Sequence, residues 1–251
     1  MKYTLLEMTQ MILSSLDGDE VNSISDTVES SQVAGIIKTS YYDIISSLDL
    51  PEHKDLFELL ATSSDTPIVM TKPTNITDIE WVRYDYYTTG DPHHEFLPVA
   101  FTDLQTFLDM SYALDPADDN VETCNLNTNG SDTLVLNYRN DAHPKIYTSF
   151  DDNTILFDSY DAEEDAFLQK TKTQCFGSFI PEWDASDSFI PDLDAKQFTL
   201  LLNEAKAQAF IELKQAANPK AERRARRGWI QAQRTKNNVN KSVTYRGYGR
   251  K

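Results

Sequence analysis

The apolar residues of this chain change period twice, and that change limits the possible folds more than any other feature. Near both ends they recur every three or four positions, which lines one face of a helix. In the middle they alternate, which suits strands with one buried face. Leu5, Met8, Ile12 and Leu16 form the first helical stripe, ended by Asp17 and Gly18. Asp26 is placed to cap a second helix, with Glu29 three residues on to complete a capping box. The inner face of that helix reads Val33, Ile37, Tyr41, Ile44 and Leu48, and Pro51 marks its exit.

Alternation begins near Asp65, in PIVMTKP and DIEWVRYDYY, and returns in DTLVLNY, KIYTSF and TILFDSY. The last two flank Asp151, Asp152 and Asn153, residues that turn readily, and so predict a hairpin. Leu104, Phe107, Leu108 and Leu114 predict one short helix among the strands. Phe198, Leu202, Ala205, Ala209 and Leu213 then announce a long helix capped by Asp194, which Pro219 breaks or kinks, with NPKAERRARRGWIQAQRTK continuing from there as a second helical segment. NNVNKSVTYRGYGRK has no helical period and reads as an extended arm without a core of its own. The expected class is α+β. A helical bundle of residues 1–64 and 191–236 carries a β-rich insertion at 65–190 and an arm at 237–251.

Charge sharpens this picture. The 251-residue chain carries a formal net charge of -17. Lys196 to Lys251 hold 14 basic residues against Glu204, Glu212 and Glu222, a net of +11, which leaves -28 on Met1 to Ala195. The acidic part repels nucleic acid and anionic membranes at long range, and the basic end attracts them. With 40% hydrophobic residues and only 8 glycines and 10 prolines, the composition is that of a folded protein and excludes disordered and collagen-like classes. Cys124 and Cys175 match no CxxC spacing and read as free thiols. Glu7, Thr9 and Gln10 interrupt the opening apolar residues, unlike a signal peptide, and no run of 18 apolar residues predicts a membrane span.

No constellation points to catalysis. His93, His94 and Glu95 are consecutive, so on a strand they point to opposite faces, and a solvated loop is the expected setting. His53 and His143 stand isolated in expected loops. The acidic runs DPADDN and DSYDAEED lack the ligand spacing of a calcium loop and read as solvated surface. Phosphate loops, GxSxG elbows and dinucleotide fingerprints are missing from the sequence. No catalytic residue, metal or cofactor is expected, and a hydrolase built on scattered carboxylates is the weakest reading.

The strongest local signal is RRARRGW. Arg223, Arg224, Arg226 and Arg227 fall on more than one face of a helix and bring Trp229 with them. Their planar forks suit carboxylate or phosphate. Acidic surface on a neighbouring copy or a partner is one match. A nucleic acid is another, with arginines on phosphates and Trp229, Tyr245 and Tyr248 stacking on bases. A merely solvated helix is the third.

Three stretches carry a resemblance: MTQMILSSLDGDEVNSISDTVESSQVAGIIKTSYYDIISS, FLDMSYALDPADDNVET and FTLLLNEAKAQAFIELKQAANPKAERRARRGWIQAQRTK. They resemble the head-to-tail adaptor proteins of short-tailed bacteriophages, also called tail tubular or gatekeeper-type connectors. The resemblance implies a structural virion protein of the neck and tail, assembled in the host cytoplasm. About twelve copies would form a ring between the portal protein and the tail nozzle protein, with DNA passing through without sequence-specific binding. It also implies a portal contact through the arm, for which Val243, Tyr245, Arg246, Tyr248 and Arg250 are the candidates, and lateral or partner contacts through Arg223, Arg224, Arg226, Arg227 and Trp229.

Overall fold

The first apolar stripe becomes helix α1 (Leu5–Ser15) in the computed structural model, which describes residues 2–48, 50–86, 93–127, 133–165 and 167–239. Thr4 and Glu7 cap it reciprocally: the Glu7 N–H donates to Thr4 Oγ1 at 3.2 Å and the Thr4 N–H to Glu7 Oε2 at 2.8 Å. Helix α2 (Val28–Ser47) buries Val33, Ile37, Tyr41 and Ile44, with Leu48 buried just past its end. Its cap differs from expectation. Thr27 and Ser30 form the capping box, while the Asp26 carboxylate accepts N–H bonds from Asn22 and Ser23 at 2.7 and 2.9 Å. Asp26 closes the preceding turn, so the helix starts one residue later.

The chain is mixed α+β. It divides into two compact units, Met1–His53 with Pro181–Lys251, and Lys54–Ile180. The second unit holds strands β1 (Lys54–Phe57), β2 (Leu60–Ser63), β3 (Thr66–Thr71), β4 (Ile76–Asp85) and β5 (Phe96–Phe101), then helix α3 (Leu104–Tyr112). Strands β6 (Val121–Asn127), β7 (Thr133–Arg139), β8 (Ile146–Ser149), β9 (Thr154–Phe157) and β10 (Thr173–Phe179) follow. Strand structure therefore begins at Lys54, ahead of the expected start near Asp65. β1 and β2 are four-residue edge strands, and neither shows the apolar alternation that marks the longer runs.

Eight strands form one sheet in the order β1-β10-β4-β5-β8-β9-β3-β2, and β6 pairs with β7 as a separate ribbon. All pairings in the large sheet are antiparallel except β5 with β8. Ile68, Met70, Leu156, Phe157 and Cys175 supply its core, and Leu136 of the ribbon joins them. The expected short helix is α3, whose N-cap Asp103 accepts the Thr106 N–H at 3.0 Å and whose Phe107 is buried. Both cysteines are buried free thiols, and burial pushes Cys175 up to about 12, which leaves it chemically quiet.

The β8–β9 hairpin has the expected turn, and Asp151 builds it. Its carboxylate accepts N–H bonds from Asn153 and Thr154 and the Thr154 hydroxyl. Burial alone would raise this carboxyl, but those donors hold it below the usual range. A carboxyl depressed in the folded state stabilises above its unfolded pKa, and that contribution is lost as pH falls through the folded value. Asp151→Ala is therefore expected to melt lower than the parent at pH 7, with the gap closing below about pH 4. Thermal melts across pH check it, and a gap independent of pH would contradict the role.

The first unit contains helices from both ends of the sequence. Leu5, Met8, Ile12, Val33, Tyr41, Phe198, Leu201 and Ala205 belong to one buried cluster. Trp183 lies against Tyr41 and Phe189, with ring centroids 5.4 and 4.8 Å away. His53, expected in a loop, is buried in a short 3₁₀ turn, and its Nε2 lies 2.7 Å from the Asp192 carbonyl oxygen. It ties the end of the first segment to the approach of the last.

The C-terminal region is two helices, α4 (Phe198–Lys214) and α5 (Pro219–Val239), so Pro219 marks a break and not a kink, and the second segment starts there. Gln215 takes a left-handed φ of 50° and ends α4. The Asn218 side chain then accepts the Ala221 N–H at 3.1 Å, and Pro219 occupies the first helical position. Asp194 does not cap α4. It lies three residues before the N-cap position, Gln197, and instead accepts the Ala195 N–H. Helix α5 also runs through Asn237 to Val239, the first residues of the expected arm, while 240–251 lie outside the described residues.

Candidate functional site

The α4–α5 hairpin places the arginines by burying what lies between them. Ala221, Ala225, Gly228 and Ala232 recur at intervals of four, three and four residues, and the small stripe they form faces α4. A Cβ on Gly228 would stand 3.0 Å from Leu200 Cδ1 and 3.1 Å from Leu200 Cβ, so glycine permits the close approach. With the narrow stripe inside, Arg223, Arg224, Arg226 and Arg227 are all left exposed. None of the four forms an ion pair among the described residues. At about 100° per residue, Arg223, Arg226 and Arg227 project away from α4 and Arg224 flanks the contact.

Trp229 does not join this exposed set. It packs against the helical core, and its indole N–H donates to Glu204 Oε2 at 3.1 Å. The aromatic named for base stacking or partner contact is half-buried and ties α5 to α4 through this bond. The reason is helical geometry: Trp229 falls on the flank of the alanine stripe, where a large ring gains more from burial than from water. Val243, Tyr245, Arg246, Tyr248 and Arg250 lie outside the described residues.

Sequence reasoning missed neighbours that come from other segments. Lys206 on α4 lines a cleft with Lys220 and Arg224 of α5, so the basic surface is wider than RRARRGW. Nothing in local spacing signals that Lys206 faces α5, since 14 residues separate it from Lys220.

In the sheet unit, His94 is not in a purely solvated setting. Its Nδ1 lies 2.5 Å from Oδ2 of the buried Asp85, whose Oδ1 accepts the Glu95 N–H at 3.0 Å. The pair closes the β4–β5 ends. His143 lies edge-on to Tyr86, with centroids 4.4 Å apart. The two acidic runs also part company. Asp115, Asp118 and Asp119 are exposed as expected. In the second run, Asp165 pairs with Lys172 at 2.7 Å, and Asp158 accepts the Lys145 and Ile146 N–H groups at 2.9 and 3.0 Å. Burial pushes the Asp158 carboxyl up despite those donors. Asp158 ties the start of β8 to the end of β9, and Asp165 ties the loop to the turn that precedes β10. Among the described residues no group of three or more His, Cys, Asp or Glu side chains is arranged to hold a metal ion, and no helix is long and apolar enough to cross a membrane.

Neither a protein-family model nor a curated protein sequence matches this chain.

Proposed function

We propose that this chain is a structural protein of a phage virion, a head-to-tail adaptor that forms a ring, with twelve copies the expected number. The ring joins the portal protein to the tail nozzle protein and encloses part of the DNA channel. The observation that carries the reading is the exposed basic surface of α5, whose four arginines have no ion-pair partner among the described residues. The remainder of the same chain is strongly acidic. Copies arranged side by side in a ring satisfy both, because the arginines of one meet carboxylates of the next. A helical unit drawn from both chain ends and a strand unit between them support the reading.

In this reading the terminal arm docks on the portal. Val243 and Tyr245 lie two residues apart, so an extended chain turns them to one side, while Arg246, Tyr248 and Arg250 meet the rim of the groove that receives them. The two edge strands expose Leu56 and Leu60, apolar surface suited to a neighbour. Acidic surface facing the channel lets DNA slide, since Lys and Arg contacts dominate phosphate binding.

The test is assembly. The purified chain is expected to be monomeric or weakly associated in native mass spectrometry, because its charge opposes self-association, and to form rings when portal rings are added. Deleting 240–251, which leaves α5 whole, is expected to abolish co-sedimentation with portal rings while circular dichroism and melting stay unchanged. A truncated protein that still docks normally removes the arm from this role. Tight duplex DNA binding by the full chain at physiological salt, without portal assembly, favours a nucleic-acid-binding protein instead.

A further inference from the structure

Three cations meet in one cleft of the helical hairpin with nothing negative between them. The cleft lies between α4 and α5, has a volume of about 320 Å3, and is lined by Lys206, Lys220, Arg224, Asn203, Asn218 and Tyr3 among others. None of the three cationic side chains has an ion-pair partner among the described residues. The nearest carboxylate on α4, Glu204, is taken by the Trp229 indole. Asn203, although buried and polar, turns its amide back to the Thr199 carbonyl at 2.6 Å, so it adds no charge.

The arrangement is electrostatically unfavourable as it stands. Lys206 is half-buried, and desolvation, followed by repulsion from Arg224 and Lys220, makes its ammonium easier to deprotonate than usual. Like charges gathered without a counter-charge lower stability unless something else selects them, and such clusters concentrate at binding sites. We propose that this cleft is a binding site for a phosphate dianion, either free phosphate or the terminal phosphate of a small phosphomonoester.

The chemistry selects that class over others. Three positive charges call for more than the single charge of one carboxylate, and a dianion offers three or more acceptor oxygens to two ammoniums and a guanidinium. The Arg224 fork can take two oxygens at once, and the two lysines add charge from other directions. The volume suits a phosphate group with a modest substituent and is small for a folded segment of a partner. Tyr3 also lines the cleft, and Leu202 and Ala221 offer apolar surface on which a substituent can rest. This site is separate from the outward-facing Arg223 and Arg227, so it stands or falls independently of ring assembly.

Titration calorimetry of the full chain at fixed ionic strength tests the proposal, with sodium phosphate and a nucleoside 5′-monophosphate as separate probes and sodium chloride as the control. One phosphate per chain is expected, with a dissociation constant of about 1 mM or tighter. Tighter binding of the monophosphate than of free phosphate identifies an ester as the better ligand, and the reverse identifies the free ion; both support the site. Lys206→Met with Arg224→Met is expected to weaken binding at least about tenfold, the equivalent of roughly 1.4 kcal/mol. Unliganded, that variant is expected to melt no lower than the parent, because it removes repulsion, whereas a merely structural role for these side chains would lower the melt. Lys206→Glu provides a second variant with the same expected loss. Equal affinity in parent and variants overturns the proposal, as does no saturable binding of either probe. Duplex DNA binding that depends on Lys206 and Arg224 while both small probes fail to bind also overturns it.

Discussion

Gly177→Ala is expected to destabilise the strand unit by about 3 kcal/mol, lowering its melting transition by roughly 10 °C. Gly177 lies in β10 where the register against β4 shifts, Phe176 standing opposite Trp81 and Gly177 opposite Ile79, so that Glu80 is an extra residue on β4. The bulge brings the β4 backbone over Gly177. A Cβ there would stand 2.0 Å from the Asp78 carbonyl oxygen, 3.0 Å from its carbon and 3.2 Å from Ile79 Cα. These are backbone atoms held in a ladder, and they cannot rotate away as a side-chain tip would. Either β10 separates from β4 or the bulge is lost, and both break pairing between the second and third strands of the eight-stranded sheet. Gly35→Ala is the control. Gly35 sits in α2, nothing lies within 4 Å of the position its Cβ would take, and the change is expected to stabilise the helical unit by about 0.5–1 kcal/mol. Calorimetry reads both variants. Trp81, stacked on Phe176 with centroids 5.7 Å apart, reports the strand unit by fluorescence, although Trp183 and Trp229 also contribute to the signal. A Gly177→Ala protein that melts with the parent would refute the close approach.

The same bulge shows where sequence reading stops. Alternation in DIEWVRYDYY announces β4, but a single extra residue opposite a glycine leaves no local mark, because the partner strand lies about a hundred residues away. The strong stripes were legible for the same reason in reverse. Leu5, Met8 and Ile12, or Val33, Ile37 and Tyr41, repeat within one helix, so local spacing decides their burial. Caps were half legible. Asp26 and Asp194 are good capping residues in isolation, yet Thr27 and Gln197 occupy the positions, since where the first helical turn begins depends on the turn before it. Pro219 was recognised as a helix start, but the reversal that makes a hairpin depends on Gln215, whose left-handed conformation nothing in its chemistry announces. The arginines of the candidate site were visible as a run. Their separation from Trp229 and their company with Lys206 depend on how α5 lies along α4, which is a tertiary fact.

The largest expected effect on contacts between copies comes from reversing the outward arginines. Arg223→Glu, Arg226→Glu and Arg227→Glu together are expected to prevent full ring occupancy on the portal while leaving the chain folded. The three side chains are exposed and unpaired among the described residues, so their loss removes no intramolecular ion pair. Glutamate is also a good helix former, so α5 should persist. Between copies the effect runs the other way. In the proposed ring, each substitution would replace an attraction to a neighbour's carboxylates by repulsion, and three of them shift the formal charge of every copy by six, from -17 to -23. Losing contacts of this type costs about 2–5 kcal/mol each where they are desolvated, so the lateral affinity should fall by at least about 100-fold. Arg224 is left in place, which keeps the phosphate cleft intact and separates the two tests. With the arm unchanged, the variant should still attach to portal rings, but at substoichiometric occupancy countable by native mass spectrometry. Complete rings formed by the variant would remove these arginines from the lateral contact. If those rings retained full occupancy and the variant lost DNA binding that the parent shows, the basic surface would belong to nucleic-acid contact.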